Sequence, residues 1–234
     1  MSTARFDHPA LPWPVALVVH PRARRLRLRL DPDRGELRLT CPPQSSKRSA
    51  LAWAVSQSEW VETQISALPP SEVIAPGATI PFDGKDVMLR WVEGGPRIVT
   101  FDGSAISGGG PLDSFAVRIE RWLRKQARDL LSTETTRAAD RAKVTVCAVS
   151  VGDAGTRWGS CSATGAIRYN WRLVMAPPHV RTWVVAHEVA HRLHMDHSAA
   201  FHAAESRIYD GDCRAARLEL RRIGPRLKRI GRLG

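Results

Sequence analysis

The sequence predicts an α+β protein with a small β-rich amino-terminal subdomain, on three observations. Residues 25–31 alternate arginine with leucine, the period of a half-buried strand. From about Asp113 past Arg141, Phe115, Ile119, Trp122, Leu123, Leu130 and Leu131 recur at helical spacing. After that helix the pattern reads strand, strand, helix, helix.

Taken in order, Val15–Val19 is an apolar strand, and residues 25–31 pair with 36–40 through a turn at Gly35. The arginines of this hairpin are expected on its solvent face. Residues 46–68 become helical, with Leu51, Val55, Trp60, Val61 and Ile65 apolar, and Pro69-Pro70 ends the helix. Strands follow at 87–92 and 97–101. Ile106-Ser107-Gly108-Gly109-Gly110-Pro111 reads as a linker, which divides the chain into residues 1–110 and 111–234. Asp113 is the expected N-cap of the long helix. Strands are expected at 143–151 and 166–174 with a turn or loop at 157–165. Pro177-Pro178 opens the next helix, and a last one spans about 198–222.

With 234 residues, 43% apolar and 25% charged, the chain can bury a real core. No apolar run approaches the ~18 residues of a membrane span, and Met1–Asp7 lacks the basic-then-apolar pattern of a signal peptide. No membrane partner and a cytoplasmic location are therefore expected. Cys41, Cys147, Cys161 and Cys213 form no Cys-x-x-Cys pair, so reduced thiols are expected. The formal charge of +12 is concentrated in two arginine clusters, residues 22–29 and 214–232. Such a surface favours polyanions, nucleic acid first, through counterion release. The same balance also arises where arginine merely solvates exposed faces, and no nucleic-acid-binding module is evident.

The most informative run is His187-Glu188-Val189-Ala190-His191-Arg192-Leu193-His194-Met195-Asp196-His197. His187 and His191 share one helical face a turn apart and can offer two imidazoles to one ion, with Glu188 beside them. A catalytic zinc ion takes three protein ligands and keeps one position open. His197 is the first candidate for the third. On a straight helix it would lie ~15 Å from His187, so the helix must end near residues 193–195 and the chain double back. Glu205, as a carboxylate from the following helix, ranks second. His194 ranks third, because it lies ~10 Å along the axis from His187 with His191 between them. Glu188 is placed as the general base, taking a proton from a water that the ion activates. Chance produces His-Glu-x-x-His in about one chain in a hundred of this size, and a further histidine at the eleventh position lowers that about fifty-fold. The run therefore reads as a site.

Several segments coincide with it: Arg157-Trp158-Gly159-Ser160-Cys161, Asn170-Trp171-Arg172-Leu173, Ala176-Pro177-Pro178, and Asp196-His197-Ser198 with Phe201. Together with the arginine-rich hairpin and the helix around Trp60, they resemble the YgjP-like family of zinc metallopeptidases over most of the chain. The resemblance implies a minimal zincin-like catalytic domain behind the β-rich part, with His187, His191 and His197 holding Zn2+ and Glu188 as base. The ligand spacing is also similar to that of SprT-like proteases, which act on proteins attached to DNA. In the matching segments, residues 158–161 read as a tight turn on the core and Cys161 as a buried thiol. Asn170 and Arg172 either orient substrate or satisfy the polar side of a strand. His179 and His202 read as surface residues.

Three functions are compatible with these residues. The first is a zinc-dependent endopeptidase acting on protein or peptide substrates with activated water. The second is a metal-dependent nucleotide pyrophosphatase with arginines on the phosphates, although the chain lacks a glycine-rich phosphate loop and a carboxylate-rich magnesium site. The third is a nucleic-acid-associated protein with a structural or regulatory metal. Depending on which strand lies at the sheet edge, an extended peptide could pair beside the metal.

Overall fold

The computed structural model describes residues 3–32 and 34–232, and it is α+β. The chain forms two compact units that part after Pro70.

The first unit holds β1 (Thr3–Phe6), β2 (Val15–Val19), β3 (Arg27–Asp31) and β4 (Glu36–Cys41) in the sheet order β1-β2-β4-β3, with β2 and β4 parallel. Leu17, Leu37 and Leu39 are buried with Ala50, Ala54 and Val61 of two helices, α1 (Lys47–Val55) and α2 (Ser58–Ser66). The sequence predicts one helix here. It breaks because the Ser56 hydroxyl donates to the Trp53 carbonyl at 2.8 Å and the Gln57 amide bonds Ala54, which closes the turn.

The second unit begins with β5 (Thr79–Phe82), β6 (Lys85–Trp91), β7 (Val99–Phe101) and β8 (Ala105–Gly108), ordered β5-β6-β8-β7. Strands 79–82 and 105–108 were not expected, and the second occupies the segment read as a linker. The glycines there serve close packing. A Cβ on Gly109 would strike the Gly95 backbone, while the amides of Gly109 and Gly110 donate to Pro96 and Gly95 at 3.0 Å. This sheet shares its core with α3 (Phe115–Ala142), so residues 79–108 belong with the carboxy-terminal part rather than with the amino-terminal one.

Along α3, Phe115, Ile119, Leu123, Ala127 and Leu131 are buried at a spacing of four, a single stripe facing the core. A short 3-10 turn, Leu112–Ser114, precedes α3, so Asp113 does not cap it. The chain continues through β9 (Ala148–Gly152), β10 (Gly159–Cys161) and β11 (Ala166–Asn170), in the sheet order β10-β11-β9. The strand expected over 166–174 stops at Asn170, whose side chain accepts from the Arg172 amide and starts a 3-10 turn, Trp171–Met175. Three helices close the chain: α4 (Pro178–Ala190), α5 (Ala199–Tyr209) and α6 (Cys213–Arg229). The single last helix expected is divided by Asp210-Gly211-Asp212. Asp210 adopts φ 56° and the Asp212 side chain caps α6 at the Ala215 amide.

Buried Arg181 locks α4 in place. It binds Glu134 on α3 at 2.9 Å and Asp83 in the β5–β6 turn at 2.7 Å. No helix among the described residues is long and apolar enough to cross a membrane.

Candidate metal centre

Val180, Val184, Val185 and Val189 of α4 are buried, and this fixes the rotation that presents His187 to a cleft. The helix ends at Ala190 with His191 as its cap, slightly earlier than the 193–195 expected. The amides of Leu193 and His194 both return to the Ala190 carbonyl at 2.9 and 3.0 Å, and the turn tightens. Arg192 holds that turn by donating to the carbonyls of Thr145 and Ala163 at 3.1 and 3.0 Å. Ser198 then caps α5, and the reversal returns His197 to His187.

Nε2 of His187 and Nε2 of His197 stand 3.3 Å apart, and the candidate ligand atoms of His187, His191 and His197 all lie within 4.8 Å of one another. Two nitrogens each ~2.0–2.1 Å from one tetrahedral ion would be separated by ~3.3–3.4 Å. The donor set and spacing fit a metal ion. Beneath them, buried Phe201 lies 5.0, 4.6 and 4.8 Å, centroid to centroid, from the rings of His187, His191 and His197, a common floor.

The far nitrogens are tied down. Nδ1 of His187 donates to Glu205 Oε1 at 2.8 Å, and Nδ1 of His191 donates to the His194 carbonyl at 3.1 Å, so Nε2 of each could serve a metal ion. These contacts reassign the two residues ranked behind His197. Glu205 orients His187 instead of joining the cluster, and His194 contributes its backbone rather than its ring. Burial alone would raise the Glu205 carboxyl. Hydrogen bonds from His187 and His202 and the charges of His187 and Arg217 outweigh it and hold the group below its ordinary value. Burial pulls His191 down, toward the neutral imidazole that ligation requires.

Glu188 is 5% exposed, and burial pushes its carboxyl up to about 7 against the opposing charges of His187 and Arg157. Its neighbour explains a glycine. A Cβ on Gly159 would occupy the space of the Glu188 carboxylate, so glycine at 159 lets strand and acid sit together without displacing the acid. Residues 159–161 form an edge strand rather than a tight turn, and among the described residues β10 pairs with β11 on one side only. Burial pushes the Cys161 thiol up, more than Arg192 draws it down.

Asn170 and Arg172 build the scaffold. Asn170 donates to the Ala154 carbonyl at 3.0 Å, and Arg172, 1% exposed, donates to the Ile230 carbonyl at 3.0 Å and pairs with Asp153. His179 meets Glu219 at 2.6 Å on the surface. His202 instead lines a pocket of about 470 Å3 beside the histidines, with Trp158, Trp183, Arg217, Leu220 and Arg221. The sequence reading missed this pocket. Its walls come from the residue before β10 and from α4, α5 and α6, and no local spacing links these segments.

Three convergent imidazoles, a buried carboxylate beside them and a strand edge alongside define a metallopeptidase-class protein. The chain belongs to the YgjP-like family, whose metallopeptidase domain matches residues 24–223. It is also similar to the crystal structure of the metallopeptidase zymogen of Pyrococcus abyssi abylysin, at 18% identity and a TM-score of 0.37, covering 43% of this chain and 97% of that one. No curated protein matches it.

Proposed function

We propose that the chain is a zinc-dependent endopeptidase, with His187, His191 and His197 holding the ion and Glu188 as general base. The observation that carries this reading is the contact of β10 with Glu188 through Gly159. An extended peptide added to the free edge of β10 would bring a carbonyl group beside the three histidines, because strand pairing places a backbone in register with its neighbour. Zinc bound there would supply Lewis acidity, polarising a carbonyl and lowering the pKa of a water. Glu188, shielded from bulk water by burial, receives a proton from the attacking water and returns it to the leaving amine. Glu205 and the His194 carbonyl fix two of the rings that would hold the ion. Apolar Trp183 and Phe201 exclude water from behind them.

The test is metal content of the parent and of His197→Ala, with casein and nucleoside triphosphates offered to the parent and to Glu188→Gln. About one zinc per chain, lost with His197, and proteolysis lost with Glu188 are expected. Glu188-dependent turnover of nucleotides instead of protein would move the function to phosphoanhydrides.

One observation favours nucleic acid as an additional partner. In the first unit Arg5 faces Ala16, Ala16 faces Arg38 and Arg38 faces Arg29, which sets three exposed arginines in one row across the sheet. Like charges on directly paired residues repel, and a phosphate backbone is a fitting counter-charge. Binding that weakens steeply with salt, survives Glu188→Gln and falls when the three arginines become alanine is expected. Binding unchanged by the triple substitution would refute this placement.

A further inference from the structure

The pocket beside the histidines carries a charge pattern that the cleavage chemistry does not use. Its volume is about 470 Å3 and, among the described residues, no carboxylate lines it. Trp183 and Leu220, each 7% exposed, give it a buried apolar lining. Two guanidinium groups line it as well. That of Arg217 lies 5.6 Å over the Trp183 ring and 3.8 Å from Glu205 Oε2. Glu205 is already engaged by His187 and His202 at 2.8 and 3.2 Å, so it neutralises Arg217 only in part. Arg221 is exposed and has no charged partner among the described residues.

Planar guanidinium forks bind carboxylates through paired, charge-assisted hydrogen bonds. Aromatic walls strengthen such contacts by excluding water, and they also accommodate the methylene stem of a long acidic side chain. Position defines which group of a substrate arrives there. The pocket is lined both by His187 and His197 and by Trp158, the residue before β10. A peptide paired along β10 sends alternate side chains to opposite faces, and the one flanking the bond at the histidines is the one within reach.

We infer that this pocket selects a carboxylate next to the scissile bond, with Arg217 and Arg221 as the recognising residues. The inference rests on the peptidase reading and names its substrate class. A glutamate or aspartate side chain and the terminal carboxylate of a substrate chain offer the same chemistry, and the experiment separates them.

The zinc-loaded full chain is first given casein, and the cleaved bonds are mapped. Peptides built on one such bond then carry Glu, Gln or Lys at each flanking position, with an amidated carboxy terminus. A matched pair ends just after the bond as free acid or amide. Cleavage rates are measured for the parent, Arg221→Ala and Arg221→Glu, and affinities for the same peptides are measured by calorimetry on Glu188→Gln.

At one flanking position Glu is expected to exceed Gln by about tenfold in kcat/KM and in affinity, the size of a charged hydrogen bond. Lys is expected to be poorer still. Arg221→Ala should erase most of the preference and Arg221→Glu should invert it toward Lys, with unchanged thermal unfolding showing that both variants are folded. Preference for free acid over amide, lost in Arg221→Ala and without a Glu–Gln difference, assigns the carboxylate to the chain end and supports the inference. Cleavage with no such preference, or a preference untouched by Arg221→Glu, overturns the inference and leaves the peptidase reading standing. Absence of any cleavage, with zinc bound, overturns both.

Discussion

The Glu205 carboxylate accepts a hydrogen bond from His187 Nδ1 at 2.8 Å, across eighteen positions of sequence and from a different helix. It is 1% exposed and held ionised by the groups around it. Such a partner fixes the ring's tautomer and makes its other nitrogen a better ligand. Glu205→Gln is therefore expected to weaken zinc binding by about 10–100-fold while leaving the helical circular dichroism unchanged. Competition with a chromogenic chelator measures it, and undiminished affinity would sink the assigned role.

Gly159 tests the placement of Glu188. Because a Cβ there would displace the carboxylate, Gly159→Ala is expected to retain zinc while losing about 10²-fold in proteolytic rate, a typical general-base contribution. Metal analysis and initial rates on casein separate the two effects. A variant as active as the parent would show that Glu188 tolerates the shift.

Asp153 gives the fold an acid-sensitive tie. Burial raises its carboxyl, but Arg172 and Arg232 outweigh burial and hold it below the ordinary value. A depressed carboxylate stabilises the fold in full above the unfolded-state pKa of about 3.9, and that contribution drains away as pH falls through the lower folded value. Asp153→Ala leaves buried Arg172 without its carboxylate and is expected to cost about 3 kcal/mol at pH 7. The difference in unfolding free energy between parent and variant should shrink below about pH 4. Denaturant unfolding at pH 7 and pH 3 measures both, and a difference independent of pH would contradict the assignment.

Gly109 separates a packed strand end from a flexible linker. Its missing Cβ is replaced by the Gly95 backbone, which cannot move aside as a side chain could. Gly109→Ala is expected to destabilise by about 1–3 kcal/mol, the usual cost of overpacking. Urea unfolding against the parent reads this directly, and a neutral result would restore the linker reading.

The α+β class, the buried stripe of α3 and the pairing of His187 with His191 were all legible, because each is a local repeat of period two or about four along the chain. The need for a turn after His191 was legible too, since a straight helix could not return His197. Other features left a trace that was read too weakly. Asp210-Gly211-Asp212 breaks the last helix, and Ser56-Gln57 breaks an earlier one, through short polar side chains that compete for backbone partners.

The rest depended on contacts between distant segments. Glycine at 108–110 has the same local freedom in a linker as against a neighbouring backbone, so only the approach of Gly95 shows which applies. Glu205 could have been a ligand or a ligand's partner by spacing alone, and the packing of α5 against α4 places it behind His187, beyond the cluster. The pocket takes Trp158 from the edge of the sheet, Trp183 from α4 and Arg217 and Arg221 from α6. Local periodicity specifies which face of an element is buried. Which elements meet is set by the burial of all those faces at once, and for this protein that decided the surroundings of the three histidines.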